Sequence, residues 1–256
     1  MIIKISIITI VYNNVSCVES CINSVLEQTY PSIEHILIDG GSIDGTLEKI
    51  KPFKSNLGYF ISEKDTGLYN ALNKGIRKAT GDVIGVLHSD DVFYSNTSIK
   101  NIVDEFKSKK ADIVYANGMY VDREDTTRVK RIYKAKPFKK RYLNFGWIPL
   151  HTTIFAKKEV FQDQGMYDES YSIASDYDIS LRWFKNEGLK KVFLNEWLVK
   201  MRLGGKSTTP SLQKRKSKED LSIINKHNLW GSFTLFLKIA RKIPQYILPK
   251  IITYKV

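Results

Sequence analysis

A chain of 256 residues with 43% hydrophobic side chains has the length and apolar content for a large core, which excludes a disordered or fibrous protein. Its formal net charge of +13 is unevenly spread: residues 200–256 hold 13 Lys or Arg against only Glu219 and Asp220, and Arg128 to Arg141 holds eight with no acid. Such asymmetry points to an anionic partner, be it nucleic acid, a membrane surface or phosphate.

Lys4 to Tyr12 is apolar almost throughout and rich in Ile and Val, as in a strand buried on both faces. Lys4 interrupts it and no small-residue cleavage site follows, so it reads as a strand and not as a leader. Thr9, Tyr12, Asn13 and Asn14 form a polar cluster at its end. Ser16 with Glu19 reads as a capping box for a helix carrying Val18, Cys21, Ile22, Val25 and Leu26. Cys17 and Cys21, one turn apart, are read as buried thiols, which suits a reducing compartment. A second strand, Glu34 to Ile38, ends in Asp39-Gly40-Gly41-Ser42-Ile43-Asp44-Gly45-Thr46, where Asp44 can cap a short helix from Thr46 to Ile50. Gly58 to Ser62 is a third strand, and Leu68, Ala71, Leu72, Ile76 and Ala79 mark the next helix.

Gly81 to Asp91, GDVIGVLHSDD, is the stretch that carries the chemistry. Val83 to Leu87 reads as a buried strand that delivers Ser89, Asp90 and Asp91 at its carboxyl end, where open α/β sheets bind ligands. Two adjacent carboxylates there call for a cation, hydroxyl donors or open water. They fit a divalent metal with a phosphorylated ligand; taken alone, they fit a solvated turn or helix cap better.

A helix on Ile99, Ile102, Val103 and Phe106 and a strand from Asp112 to Ala116 complete a βαβ series that predicts a parallel, doubly wound sheet. After residue 117 the pattern changes. Met119 to Tyr133 reads as a hairpin or a bulging loop with a charged tip, His151 to Phe155 as a short strand, and Phe161 to Tyr171 as an aromatic-rich loop. Ser175 to Asn186 reads as a helix with Asp176 and Asp178 in its first turn, Lys190 to Leu194 as a late strand, and Leu203 to Thr209 as a loop. Leu229 to Tyr254 mixes apolar and basic residues, with Pro244 and Pro249 as breaks. It suits either a membrane interface or a helix packed on the domain. No segment approaches the roughly 20 apolar residues of a spanning helix, so a cytoplasmic, peripheral protein is expected.

Four motifs in order, T-x-x-Y-N at Thr9 to Asn13, D-G-G-S-x-D-G-T at Asp39 to Thr46, D-x-G-x-Y-x-A-x-N-x-G at Asp65 to Gly75 and S-D-D at Ser89 to Asp91, resemble family 2 of the inverting nucleotide-sugar glycosyltransferases. His151, Ser175-Asp176-Tyr177-Asp178 and Gly204 to Ser207 are similar to its bacterial polysaccharide branch. The resemblance implies a GT-A fold: a Rossmann-like, mostly parallel central sheet flanked by helices, with a smaller acceptor-side subregion. Residues 1–117 would be the nucleotide-sugar half and 118–210 the acceptor half, followed by a basic helical extension over 211–256.

It also implies roles. Asp39 would accept a hydrogen bond from the uracil of a UDP-sugar, with Thr9, Tyr12 and Asn13 beside the base, Asp65 near the ribose and base, and Asp90 on the ribose or sugar. Asp91 would hold Mg²⁺ or Mn²⁺ against the diphosphate, hard oxygen ligands suiting both ions. Asp176 matches the general base that takes the acceptor proton. Since Ser175 stands where many relatives have Glu, the choice between Asp176 and Asp178 stays open. Arg202 and Lys206 are candidate diphosphate contacts, and His151 a candidate acceptor or metal contact. The implied partners are a nucleotide-sugar, a glycan or polyprenyl-linked acceptor and the inner-membrane surface; self-association is left open. Nucleic acid is not expected, because the charge lies outside the ordered half and no nucleic-acid motif occurs. A nicotinamide oxidoreductase is disfavoured, because no Gly-x-Gly follows the first strand.

Overall fold

The computed structural model describes residues 2–204, 210–252 and 254. Strand β1 (Ile5–Val11) is the hub. It pairs in parallel with β2 (Ile33–Asp39) on one side and β4 (Val83–Val86) on the other, and β3 (Tyr59–Ser62) extends the sheet beyond β2. Side chains of β1 alternate between faces, as the twofold period of a strand requires. Ile8 and Ile10 join one core and Ile5 and Ile7 the other, all at most 8% exposed. The first core packs α3 (Leu68–Lys78), α5 (Lys158–Gln164) and α6 (Ser175–Lys185) on the sheet. The second packs α1 (Val18–Leu26) and α4 (Ser98–Lys109). A satellite core under α2 (Thr46–Ile50) gathers Val11, Val18, Ile22, Leu37 and Ile50.

Past β4 the sheet becomes mixed. β8 (Ile154–Lys157) runs antiparallel to β4 and to β6 (Ile113–Val121), and β9 (Lys191–Arg202) runs parallel to β6. The short β5 (Val92–Phe93), directly after the SDD motif, pairs with β9, and β7 (Val129–Tyr133) pairs with β6 as the expected hairpin. The order β3-β2-β1-β4-β8-β6-β9-β5 therefore brings the end of β9 back against the SDD segment.

Several elements differ from the sequence reading. β6 and β9 are longer than expected, since Asn117 interrupts the apolar pattern of β6 yet is buried, its amide accepting Ala135 N–H at 2.7 Å and donating to Asn195 at 3.3 Å. The Ser16 and Glu19 capping box does not form: Cys17 is the N-cap residue, and Glu19 instead pairs with Lys49 at 3.0 Å. The first four residues of the expected 161–171 loop are the end of α5, and His151–Thr153 is a 3₁₀ turn leading into β8.

The C-terminal segment breaks at Arg241 and not at a proline. Pro244 sits in the first turn of α9 (Lys242–Ile251), where a missing N–H costs no helical bond, and Pro249 lies inside that helix. α7 (Pro210–Lys226) is no loose extension, because Ile223 and Ile224 are fully buried in the same core as α3 and α6. α8 (Gly231–Ala240) buries only Thr234, and α9 buries no side chain among its described residues. No helix among the described residues is long and apolar enough to cross a membrane.

Candidate active site

A cavity of about 610 Å³ opens at the carboxyl ends of β1, β2 and β4. Its walls include Tyr12, Gly40, Asp65, Asp90, Asp91 and Asp176. The loop after β2 is shaped by Asp39, whose fully buried carboxylate accepts Gly41 N–H and Ser42 N–H at 3.0 Å each and the hydroxyls of Ser42 at 2.5 Å and Ser62 at 2.6 Å. Asn13, in the left-handed region at φ 48°, donates its N–H to Ser42 Oγ at 2.8 Å and accepts Ile43 N–H at 2.9 Å. A Cβ at Gly40 would stand 2.6 Å from Asp65 Oδ2 and 3.4 Å from the Tyr12 ring, so a side chain there would push the Asp65 carboxylate aside. Asp65 and Tyr12 therefore close over the loop backbone from the cavity side.

β4 delivers Ser89, Asp90 and Asp91 as expected, with His88 just before them. Ser89 Oγ accepts the Asn14 amide at 3.0 Å. Asp91 is 1% exposed; its Oδ1 accepts Arg202 N–H at 3.1 Å, while its buried Oδ2 has no partner among the described residues. Burial, with Asp90 beside it, pushes the Asp91 carboxyl well above the usual carboxylate range. The Arg202 guanidinium does not neutralise the pair directly, because it donates to the Asp90 carbonyl at 2.8 Å and to the Arg123 carbonyl at 3.0 Å. A buried, unpartnered carboxylate oxygen facing a ligand cavity fits a hard divalent cation. Among the described residues no three His, Cys, Asp or Glu side chains gather around one point, so a cation at Asp91 would need ligand or water oxygens to fill its shell.

The start of α6 supplies a second acid to the same cavity. Asp176 Oδ2 lies 3.3 Å from His151 Nδ1, and Oδ1 accepts the Tyr69 hydroxyl at 3.3 Å. His151 Nε2 is 2.9 Å from His88 Nε2. Burial pushes His151 down to about 4, so the ring is neutral at physiological pH despite Asp176 beside it. The acceptor-only carboxylate then fixes the tautomer: Nδ1–H of His151 donates to Asp176, and its Nε2 accepts from His88. Burial would raise Asp176, but His151, Lys216 and Lys238 outweigh it and hold the carboxyl below its ordinary value, ionised at neutrality.

Asp178 has a different environment. Its side chain is 1% exposed and accepts Arg182 at 3.0 Å, Lys226 at 3.1 Å and His227 at 2.9 Å. Burial opposes ionisation, but the hydrogen bonds from His227 and Lys226 dominate and hold it at about 2. It ties α6 to α7 and is not on the cavity wall. α7 also shapes the site through Glu219, whose carboxylate accepts the N–H groups of Ser172, Ile173 and Ala174 at 2.9–3.1 Å.

Of the residues singled out from sequence, Tyr12, Asp65, Asp90, Asp91, His151, Asp176 and Arg202 line the cavity. Three expected donor contacts do not. Thr9 is fully buried against His35 at 2.9 Å, while Asn13 and Asp39 spend their polar atoms bracing the loop. Lys206 lies outside the described residues. Tyr69 and His88 went unread: the first sits inside a quoted motif, and the second, beside SDD, offers no signal beyond that position.

The profile of glycosyl transferase family 2 matches residues 6–163. An uncharacterized glycosyltransferase of Rickettsia prowazekii is 31% identical over 230 residues, covering 85% of this chain and 70% of the relative. A PGL/p-HBAD biosynthesis glycosyltransferase of Mycobacterium bovis is 30% identical over 188 residues, covering 72% and 71%. Among solved structures, S. aureus TarS 1–349 in complex with UDP-GlcNAc superposes with a TM-score of 0.68 at 14% identity over 98% of this chain and 76% of that one. The mannosyltransferase PcManGT from Pyrobaculum calidifontis, in complex with GDP-Man and Mn²⁺, gives 0.67 at 14% identity over 99% and 77%. The fold is accordingly GT-A.

Proposed function

The chain belongs to glycosyl transferase family 2, and we propose that it moves one sugar from a UDP-sugar to a hydroxyl of a glycan or lipid-linked acceptor, inverting the anomeric centre. The reaction would serve surface polysaccharide synthesis at the cytoplasmic face of a membrane. One observation carries the reading: the orphaned Asp91 oxygen and the ionised, hydrogen-bonded Asp176 open on one cavity.

An alcohol attacks well only as its proton leaves, and its pKa is far above neutrality. Asp176 takes that proton while the acceptor oxygen bonds to the anomeric carbon. The bond from that carbon to the diphosphate oxygen breaks on the opposite face, and the nucleoside diphosphate leaves with the electron pair. Three groups hold Asp176 for this step. His151 Nδ1–H and the Tyr69 hydroxyl orient its two oxygens, and the N-terminus of α6 favours its charge. The Tyr12 ring, 61% exposed at the cavity mouth, offers a stacking face for the base, with Asp65 beside it for the ribose. Asp39 acts on the donor indirectly, by setting the loop backbone at Gly40 and Gly41. Mg²⁺ or Mn²⁺ at Asp91 would neutralise the charge that develops on the diphosphate.

Support for a UDP-linked donor comes by likeness from TarS, whose structure holds UDP-GlcNAc, and for a divalent ion from PcManGT, whose structure holds Mn²⁺. A panel of UDP- and GDP-sugars, read by thermal shift and by nucleoside diphosphate release with and without Mn²⁺, tests the proposal. A product that keeps the donor's anomeric configuration would refute inversion, and metal-independent turnover would refute the role of the cation.

A further inference from the structure

A second cavity, of about 580 Å³, shares Tyr120, His151, Asp176 and Met201 with the donor cavity and extends away from it. Its remaining walls come from β7, the 146–150 loop, α6, α7, α8 and α9. Among the described residues five cations line it against two carboxylates, Asp176 and Asp220. Lys238 pairs with Asp220 at 2.7 Å, and Arg241 donates to the Gly146 carbonyl at 2.8 Å. The other three, Arg131, Lys216 and Lys242, make no ion pair among the described residues.

Arg131 is 7% exposed, a rare state for a guanidinium without a counter-ion. It is held by neutral groups alone: its Nε donates to Gln245 at 2.8 Å, and its plane lies over the rings of Tyr120 at 4.5 Å and Tyr246 at 5.2 Å. Burial and the neighbouring Lys216, Arg131 and Lys238 bring Lys242 down to about 8, so the cluster resists its own charge. A multivalent anion would relieve that repulsion, and a planar guanidinium with two ammonium groups suits phosphate oxygens.

The rim of this cavity is apolar on one side. Ile239 lines the cavity, and Ile243, Ile247 and Ile251 follow at four-residue spacing along α9, each between 48% and 75% exposed; Phe233 and Phe236 flank them at 54% and 64%. A cationic pocket that opens onto an exposed aliphatic ridge matches an amphiphile with an anionic head.

We propose that this second cavity is the acceptor subsite for the diphosphate of a lipid-linked acceptor, with Arg131, Lys216 and Lys242 holding the phosphates and the hydrocarbon chain leaving along α8 and α9. The assignment rests on Asp176 as the base, since the shared wall brings an acceptor seated here to that carboxylate.

The test uses the full chain and phosphatidylcholine vesicles doped with polyprenyl diphosphate, with phosphatidylglycerol vesicles and inorganic pyrophosphate as comparisons. The wild type should bind the diphosphate vesicles more tightly than either comparison, and the K216Q/K242Q double variant should lose ~10-fold or more of that binding. The Mn²⁺-dependent thermal shift with UDP should be unchanged in the variant, because neither lysine lines the donor cavity. An R131K variant, which keeps the charge and loses the fork, should weaken diphosphate binding to a smaller degree. Equal vesicle binding by wild type and double variant overturns the proposal. Pyrophosphate binding as tight as that of the vesicles overturns the lipid source, and equal binding to phosphatidylglycerol reduces the site to general membrane adhesion. Loss of the UDP shift in the wild type would instead defeat the donor reading and leave the vesicle result to stand alone.

Discussion

The Nε2 atoms of His88 and His151 lie 2.9 Å apart, and His151 passes that contact on to Asp176 through its Nδ1. His88 immediately precedes Ser89, Asp90 and Asp91, so one hydrogen bond links the end of β4 to the helix that carries Asp176 across the same cavity. Both rings are half-buried, and their desolvation pushes both below the ordinary imidazole value. The pair is therefore a neutral, oriented bridge in which a change at either end shifts the other.

Asp176→Asn should lower transfer by at least about 10³-fold, because the amide cannot accept the acceptor proton. Mn²⁺-dependent UDP binding and the melting temperature should stay near wild type. His151→Ala should cost about 10²-fold in kcat with a smaller effect on donor affinity, as expected when a base loses its orienting partner but keeps its charge. Steady-state kinetics beside UDP thermal shifts separate the two effects; an active Asp176→Asn enzyme would remove this residue from its role.

Asp178 is the contrasting case, and its expected phenotype is structural. Removing one member of its buried cluster with Arg182, Lys226 and His227 should cost about 3 kcal/mol in the Asp178→Asn variant. Turnover per folded molecule should survive. The pH dependence has a definite sign. The folded carboxyl titrates at about 2, below its unfolded value, so its stabilisation is complete above pH ~4 and is lost as the pH falls toward 2. His151 and His35, both lowered to about 4 by burial, contribute an earlier loss of stability as the pH falls from ~6.5 to 4. Urea midpoints across this range should show both windows in the wild type and a smaller low-pH window in Asp178→Asn, where Glu34, also held at about 2, still titrates.

The parallel half of the sheet was legible because its strands are uninterrupted apolar runs and its ligand residues sit in contiguous motifs. The pair in α6 was legible only as a pair. Two residues apart on a helix point roughly 200° from each other, so one acid must face the cavity and the other the core. Which one does so is decided by Tyr69 and His151 on one side and by Lys226 and His227 on the other, all distant in sequence. Asn117 hid the length of β6, because a buried amide satisfied by Ala135 and Asn195 resembles a turn residue until its partners are known. The two basic runs were visible as charge, but only the packing of α9 on β7, through Arg131 and Gln245, brings them to one cavity.

Asp91 gives the sharpest separation of stability from function. Its carboxyl is raised well above the ordinary range by burial and by Asp90, so without a cation the folded state keeps its proton to a higher pH than the unfolded chain does. That linkage makes the unliganded protein less stable as the pH rises past the ordinary carboxylate value. Asp91→Asn removes the titrating group and keeps an oxygen for the Arg202 N–H, so the unliganded variant should melt at or above the wild-type temperature. A ligand at a hundredfold excess over its Kd adds about 2.7 kcal/mol, or roughly 5–10 °C for a chain of this size, and the wild type should gain that shift with Mn²⁺ and UDP together. The variant should gain little of it. Differential scanning fluorimetry at pH 6 and pH 8 reads all of these outcomes; a full Mn²⁺-dependent shift in Asp91→Asn would move the cation away from this residue.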